Sequence, residues 1–360
     1  RRFGRRMNEK PTQLSAVMAT VRRVLVTGFE PFGDHRTNIS QRVVDRMGGQ
    51  HVLHHPWSDE TFPVHVEVDV LPVDAHGAQR TAQRLREGCS WDAVLHVGLC
   101  ESCDAPRLER IARDRLDMRI PDNLGRQVNN VNLDGLGPRG CWLDLMLWNP
   151  AAFPVPYSIS TDAGAYLCNE TYHASLKAIC EESSSSPVPP PVLFLHLPGE
   201  ARLTVDQGVR FVEACLAHML HPFPMEPVHV VAGCFSSPTG EVLVAQRAIG
   251  EAEGGRWEFP GGKCEPLEPW SMALEREIEE ELQLKVRSDH PLGSWYRQHD
   301  GAAFVIHLIR GRLDGNAGAP SLSVHQAVDW VEADATSQLA WAGRDGEMLD
   351  FIDQVIKSTS

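Results

Sequence analysis

The sequence lacks any apolar run long enough to span a bilayer, which excludes a transmembrane reading. It lacks a basic excess: 34 Lys and Arg face 48 Asp and Glu, for a net charge of -14. A surface for nucleic-acid polymers is therefore not expected, and only local basic pockets remain open. It lacks a second CxxC or a suitably spaced histidine pair to accompany Cys100 and Cys103, so no structural zinc site is expected. Its nine cysteines are odd in number and scattered, the pattern of reduced thiols in a cytoplasmic protein. Cys100 and Cys103 are accordingly expected as two ordinary thiols. No internal repeat is present.

What is there reads as two globular units. A chain of 360 residues, 42% hydrophobic and 23% charged, is long enough for two cores. The first half alternates short apolar runs ("RRVLVTGFEPFG", "VHVEVDVLPV", "WDAVLHVG", "PYSIS", "VLFLHLP") with amphipathic stretches such as "AQRTAQRLREG" and "CNETYHASLKAIC". That alternation predicts an α/β domain with a largely parallel sheet. "EESSSSPVPPP" is read as a surface loop inside this domain, because a strand follows it directly. The joint is placed at 221–227, in "HPFPMEP", after which a new strand pattern starts at Val228. Residues 1–17 are expected to form a disordered extension, leaving domains at 18–220 and 228–360.

"REIEEEL" (276–282) stacks Glu277, Glu280 and Glu281 at i, i+3 and i+4, on one helical face. Leu274, Ile278 and Leu282 form the opposite, apolar stripe. Three like charges on one face repel, and a divalent cation with oxygen ligands relieves them. Taken alone, a solvated acidic face explains the run equally well. The flanking sequence "GGKCEPLEPWSMALEREIEEELQL" adds Gly262, then Glu268 six residues on, then Arg276–Glu277 and Glu280–Glu281. This resembles the Nudix box, and with "LVAQR" and "WEFPGGK" it resembles the MutT-like and CTP-pyrophosphohydrolase branch, over roughly Val228 to Ile352. The resemblance implies an α/β/α sandwich that hydrolyses nucleoside di- or triphosphates with Mg²⁺ or Mn²⁺. It implies Glu277, Glu280, Glu281 and the Gly261 carbonyl as metal ligands. Arg276 would brace the glutamates, Arg247 would contact substrate, and Asp345 would read the base. Two positions depart from the pattern: Gln283 replaces the final box glycine, and Val324 replaces a glutamate that would add a metal ligand or base.

In the first half, Cys168 follows a Gly-containing turn at the start of a helical pattern, where a thiol gains nearby N–H donors and a lowered pKa. His196 ends an apolar strand, and Glu109 in "PRLERIARD" offers a carboxylate to orient it. Among sixteen His and nine Cys, spacing alone does not select this set. The blocks "VLVTGFEPFGDHRTNIS", "PRLERIARDRLDMRIPDN", "DAGAYLCN" and "FLHLP" resemble, in order, the pyroglutamyl peptidase I family of cysteine peptidases, over roughly Val24 to Leu220. The resemblance implies a Glu109–Cys168–His196 triad without a cofactor, an aromatic pocket at Phe29 and Phe32 for the pyroglutamyl ring, and Asn38 and Arg119 near the substrate. Asp122 is a second candidate orienter. The Ser/Pro insertion and an enlarged segment, "NNVNLDGLGPRGCWLDLMLWNP" (129–150), depart from the family.

The expected protein is a bifunctional hydrolase of pyroglutamyl-blocked peptides and nucleoside phosphates, with neither nucleic-acid polymer nor membrane as partner and homo-oligomerisation left open. A second reading keeps the peptidase and makes the Nudix half a nucleotide-binding regulatory module.

Overall fold

The structure is a computed structural model and describes residues 21–182, 187–237, 239–314, 320, 322 and 324–348. The expected extension at 1–17 and the chain beyond 348 lie outside the described residues.

The first half forms β1 (Arg22–Phe29), α1 (Ile39–Val44), β2 (Gly49–His54), β3 (Thr61–Leu71), α2 (Ala75–Arg86), β4 (Ala93–Leu99), β5 (Arg107–Glu109), β6 (Ile111–Ala112), β7 (Arg139–Gly140), β8 (Ser158–Ser160), α3 (Leu167–Glu182), β9 (Val192–Leu197) and α4 (Val205–Leu220). Seven strands make one sheet in the order β2-β3-β1-β4-β9-β5-β8. The run β3-β1-β4-β9 is parallel, while β2 and β5 are antiparallel to β3 and β9. β1, β4 and β9 read as near-continuous apolar runs because they are covered on both faces. Val24, Leu25, Val26, Leu95 and Leu195 are fully buried.

The second half contains β10 (Val228–Phe235), β11 (Glu241–Arg247), β12 (Trp257–Glu258), β13 (Gly261–Lys263), α5 (Trp270–Leu282), β14 (Val286–His299), β15 (Ala302–Leu313) and β16 (His325–Glu332). Its two sheets run β13-β10-β15-β14 and β12-β11-β16. Leu274, Ile278 and Leu282 of α5 are fully buried, which turns the glutamates outward as the stripe requires.

Gln283 ends α5 in the left-handed region, with φ 55° and its N–H bonded to Glu279 O. Any residue with a Cβ is strained there, by about 1 kcal/mol relative to glycine. Gln283→Gly is expected to stabilise the second half by about that amount, read as a higher urea midpoint at unchanged slope. An unchanged midpoint would show that the cap costs nothing here.

The enlarged segment 129–150 is where the two halves meet. Asp114 fixes its first part by accepting from the N–H groups of Leu133, Asp134 and Gly137. Further along, Pro138 O accepts from His290 Nε2 at 2.8 Å. Asp144 Oδ2 accepts from Tyr296 N and from Arg344, each at 2.9 Å. A Cβ on Gly140 would sit 1.6 Å from Leu292 O, so only glycine permits this backbone approach. Trp142 packs edge-on to Trp270 with centroids 5.6 Å apart.

Two expectations are corrected. Cys100 and Cys103 are disulfide-bonded, not separate thiols. The tight turn after β4 brings their Cα atoms to 5.4 Å, within bonding reach. The proline part of the Ser/Pro segment is not a free surface loop. Pro189 is buried and its carbonyl accepts from Trp142 Nε1 at 3.1 Å, so the segment is docked on the junction. Residues 183–186 lie outside the described residues.

Candidate active sites

At the C-terminal edge of the parallel strands, where open α/β sheets gather ligands, three predicted residues converge. Cys168 is the second residue of α3. Glu109 ends β5, which pairs with β9 so that Arg107 lies opposite His196. His196 Nδ1 is 2.7 Å from Glu109 Oε1, and the imidazole also hydrogen-bonds the Cys168 thiol. Glu109 is fully buried and His196 is 6% exposed. Burial alone would lower the His196 pKa. The bonds to Cys168 and Glu109 outweigh it and raise the imidazole to about 9.

Two residues that sequence reasoning missed complete this arrangement. Arg107 Nε donates to the same Glu109 Oε1 at 2.9 Å, giving the buried carboxylate a cationic partner. The signal was present as the alternation Arg107-Leu108-Glu109, which puts both side chains on one face of a strand. Gly98 lies beneath the thiol. A Cβ there would be 3.1 Å from Cys168 Sγ and 2.9 Å from Phe194 Cε1. Gly98→Ala must therefore displace the sulfur or the Phe194 ring. It is expected to lower peptidase kcat by about 10²-fold, the scale of a 1 Å misplacement. Wild-type kcat in that variant would show that the thiol tolerates the shift.

The other expected peptidase residues divide. Phe32 is half-buried with its ring 6.1 Å from that of Tyr166, two residues before Cys168. Phe29 is buried instead, packed 6.2 Å from Phe194. Asn38 caps α1, accepting from Ser40 N and donating to Glu30 O, so its amide supports the turn after β1. Arg119 is exposed on the segment before Pro121. Asp122 accepts from Leu124 N and Arg126, which ties that segment to Glu170 of α3, and it is not bonded to His196.

In the second half, a cavity of about 320 Å³ opens between α5, β16 and the strands of the four-stranded sheet. Gly261, Glu281, Arg247 and Asp345 line it. A Cβ on Gly262 would lie 2.2 Å from Glu277 Oε2, so that glycine leaves room for the carboxylate. Arg276 binds Glu268 at 2.8 Å, Glu277 at 2.8 Å and Glu280 at 3.3 Å. It is thus the counter-charge expected within "REIEEEL". Glu280 is the most open of the three box glutamates. Glu281 has its pKa raised, chiefly by burial and then by Glu277, Glu258 and Glu251, with His325 opposing. Arg247 is held by Glu258 and Glu251 at the cavity wall. Asp345 is buried and accepts from Phe259 N at 3.1 Å. Burial raises its carboxyl to about 7; the Phe259 bond opposes this and Glu258 adds to it. Glu258 and His325 were not singled out by sequence.

A carboxylate crowd of this kind has oxygen donors and charge suited to a hard divalent cation. The first site places thiol, imidazole and carboxylate in one hydrogen-bonded row at a helix N-terminus, which defines a cysteine-hydrolase arrangement on an α/β sheet.

Comparison with known proteins gives the families. The pyroglutamyl peptidase family model matches residues 22–211 and the NUDIX domain model matches 227–351. The pyrrolidone-carboxylate peptidase of Pyrococcus furiosus is 31% identical over 189 residues, covering 51% of this chain and 85% of that one. The CTP pyrophosphohydrolase of Escherichia coli is 32% identical over 126 residues, covering 35% of this chain and 91% of that one. A crystal structure of the pyrrolidone carboxyl peptidase from Thermus thermophilus aligns at 32% identity with a TM-score of 0.43, over 54% of this chain and 99% of that one. The chain belongs to the pyroglutamyl peptidase family through its first half and to the Nudix family through its second. Among the described residues no helix is long and apolar enough to cross a membrane.

Proposed function

We propose that this chain releases N-terminal pyroglutamate from blocked peptides and, in a second domain, hydrolyses nucleoside di- or triphosphates with the aid of Mg²⁺. The division falls at 221–227. The observation that carries the first activity is the His196 ring, bonded at once to the Cys168 thiol and, at 2.7 Å, to the buried Glu109 carboxylate.

The Cys168 sulfur attacks the carbonyl carbon joining pyroglutamate to the next residue. N–H groups of the first turn of α3, that of Cys168 among them, face the developing oxyanion. His196 protonates the departing amine, giving a thioester. It then takes a proton from water, which attacks the thioester and frees pyroglutamate. Glu109 holds the imidazolium in orientation, and Arg107 holds Glu109. Phe32 and Tyr166 offer flat apolar faces for the lactam ring.

In the second domain Glu277, Glu280, Glu281 and the Gly261 carbonyl would hold the cation, which supplies electrostatic clamping of phosphate oxygens and a more acidic bound water. Arg276 fixes the glutamates from behind. Asp345 and Arg247 face the nucleotide in the cavity. The E. coli relative's name makes CTP the first nucleotide to test. The seven remaining cysteines are unpaired, the pattern of a cytoplasmic setting, whereas the Cys100–Cys103 disulfide is the pattern of an oxidising one.

The test is turnover of the full chain on a pyroglutamyl amide and on the matching unblocked glutamyl amide, beside a nucleotide panel with Mg²⁺. Cleavage of the blocked amide alone is expected. Equal cleavage of both, or of neither, overturns the peptidase reading.

The pH profile checks the roles within the triad. Folding raises the His196 pKa from 6.5 to about 9. The stabilisation of the protonated ring is therefore complete below about 6.5 and lost as pH rises through 9. Peptidase kcat/KM is expected to fall above about pH 9. Glu109→Gln removes one support of the charged ring, so this limb should move to lower pH. A limb fixed at the wild-type position in Glu109→Gln would remove Glu109 from the triad.

A further inference from the structure

His325 stands at the start of β16, beside the carboxylates of α5. Its side chain is 6% exposed. Nε2 lies 3.4 Å from Glu258 Oε1 and 4.0 Å from Glu281 Oε2, and Nδ1 has no hydrogen-bond partner among the described residues. Both separations from the carboxylates are too long for good hydrogen bonds. The separation from Glu281 Oε2 suits two donors on opposite sides of one ion, which lie ~4 Å apart at about 2.1 Å from an octahedral cation, while Glu258 does not share that shell.

The backbone explains why this residue faces the site. In the pairing of β11 with β16, Gln246 lies opposite Ala327 while Arg247 lies opposite His325, so one residue of β16 is bulged. A strict alternation back from Trp330 through Val328 would bring Val324 to the side of α5. The bulge shifts the parity and brings His325 there as well, so that both residues line the cavity with Glu281. Val324 is 46% exposed and has no donor atom. Glu258 keeps Oε1 toward the imidazole, since its Oε2 is held by Arg247.

We propose that His325 Nε2 is a ligand of the divalent cation, taking the place of the carboxylate that position 324 does not supply, and that the site consequently prefers Mn²⁺ to Mg²⁺. The proposal rests on the divalent-cation reading of the Nudix domain. Mg²⁺ is hard and selects oxygen donors, whereas first-row transition ions accept an imidazole nitrogen readily. A neutral ligand in place of a carboxylate also removes one negative charge, so the nucleotide phosphates meet less repulsion. The competing arrangement is an imidazolium that only pairs with Glu258 and Glu281 and never touches the metal.

The test uses the full chain loaded with one equivalent of Mn²⁺. Pulsed electron paramagnetic resonance should show ¹⁴N modulation from a directly bound imidazole in the wild type and none in His325→Ala or His325→Gln. The Mn²⁺ dissociation constant should rise about tenfold or more in both variants, with a smaller change for Mg²⁺ measured by competition. His325→Gln keeps most of the side-chain volume, and peptidase turnover of the same samples reports folding. The double variant Val324→Glu/His325→Gln should bind Mg²⁺ more tightly than His325→Gln, again without nitrogen modulation. Mn²⁺ bound to the wild type with no ¹⁴N modulation overturns the proposal. So does wild-type Mn²⁺ affinity in both His325 variants while Glu281→Gln loses it, and that result leaves the Nudix cation reading standing. Absence of Mn²⁺ and Mg²⁺ binding by the wild type removes both.

Discussion

Cys168→Ala is expected to abolish cleavage of the pyroglutamyl amide, a loss of at least about 10⁴-fold, as for removal of a nucleophile that acts with its base as one unit. His196, Glu109 and Arg107 cannot compensate, because none is placed to attack the carbonyl once the sulfur is gone. Cys168→Ser should lose nearly as much: a hydroxyl in the same place is far less readily ionised than a thiol. The nucleotide site should be untouched in both variants, since its residues all lie in the second half of the chain. Retained nucleotide binding thus separates loss of chemistry from loss of fold. Wild-type peptidase turnover in Cys168→Ala would refute the assignment of the nucleophile.

Glu281→Gln is expected to act in two opposite directions on the second domain. Burial and neighbouring glutamates hold the Glu281 carboxyl above its ordinary range, so the fold favours its protonated form. The favourable contribution is present below about pH 4 and is lost as pH rises through the folded value. At pH 8 the metal-free wild type therefore carries a half-buried, crowded carboxylate that glutamine would not impose. The metal-free variant should melt higher than wild type at pH 8 and no higher at pH 4. A divalent cation should raise the wild-type melting temperature by mass action and leave the variant nearly unmoved, with nucleotide hydrolysis lost. A variant that retains the full cation-dependent rise would remove Glu281 from the metal site. A wild type indifferent to Mg²⁺ and Mn²⁺ would return α5 to a solvated acidic face.

Much of this protein was determined by its sequence alone. The apolar runs of β1, β4 and β9 could only be strands covered on both faces, and the stripe Leu274-Ile278-Leu282 could only turn the glutamates outward. These are local periodicities, fixed by the geometry of strand and helix. Quoted blocks around Glu109, Cys168, His196 and the Nudix box were enough to give both families. Other features depended on contacts between segments far apart in the chain, which no periodicity reports. Glu109 meets His196 only because β5 lies antiparallel to β9, and Gly98 matters only because α3 starts above it. Asn38, expected near the substrate, also caps α1 through Oδ1 and donates through Nδ2 to Glu30 O, contacts no periodicity reports. Cys100 and Cys103, read as thiols from their number and scatter, are joined because a tight turn brings them into reach. Segment 129–150 looked like an irregular enlargement until its carbonyls and Asp144 met His290, Tyr296 and Arg344 from the other half. A single bulge in β16 brought His325 into the cavity beside Val324, because adding one residue to a strand changes the face of the side chain beyond it.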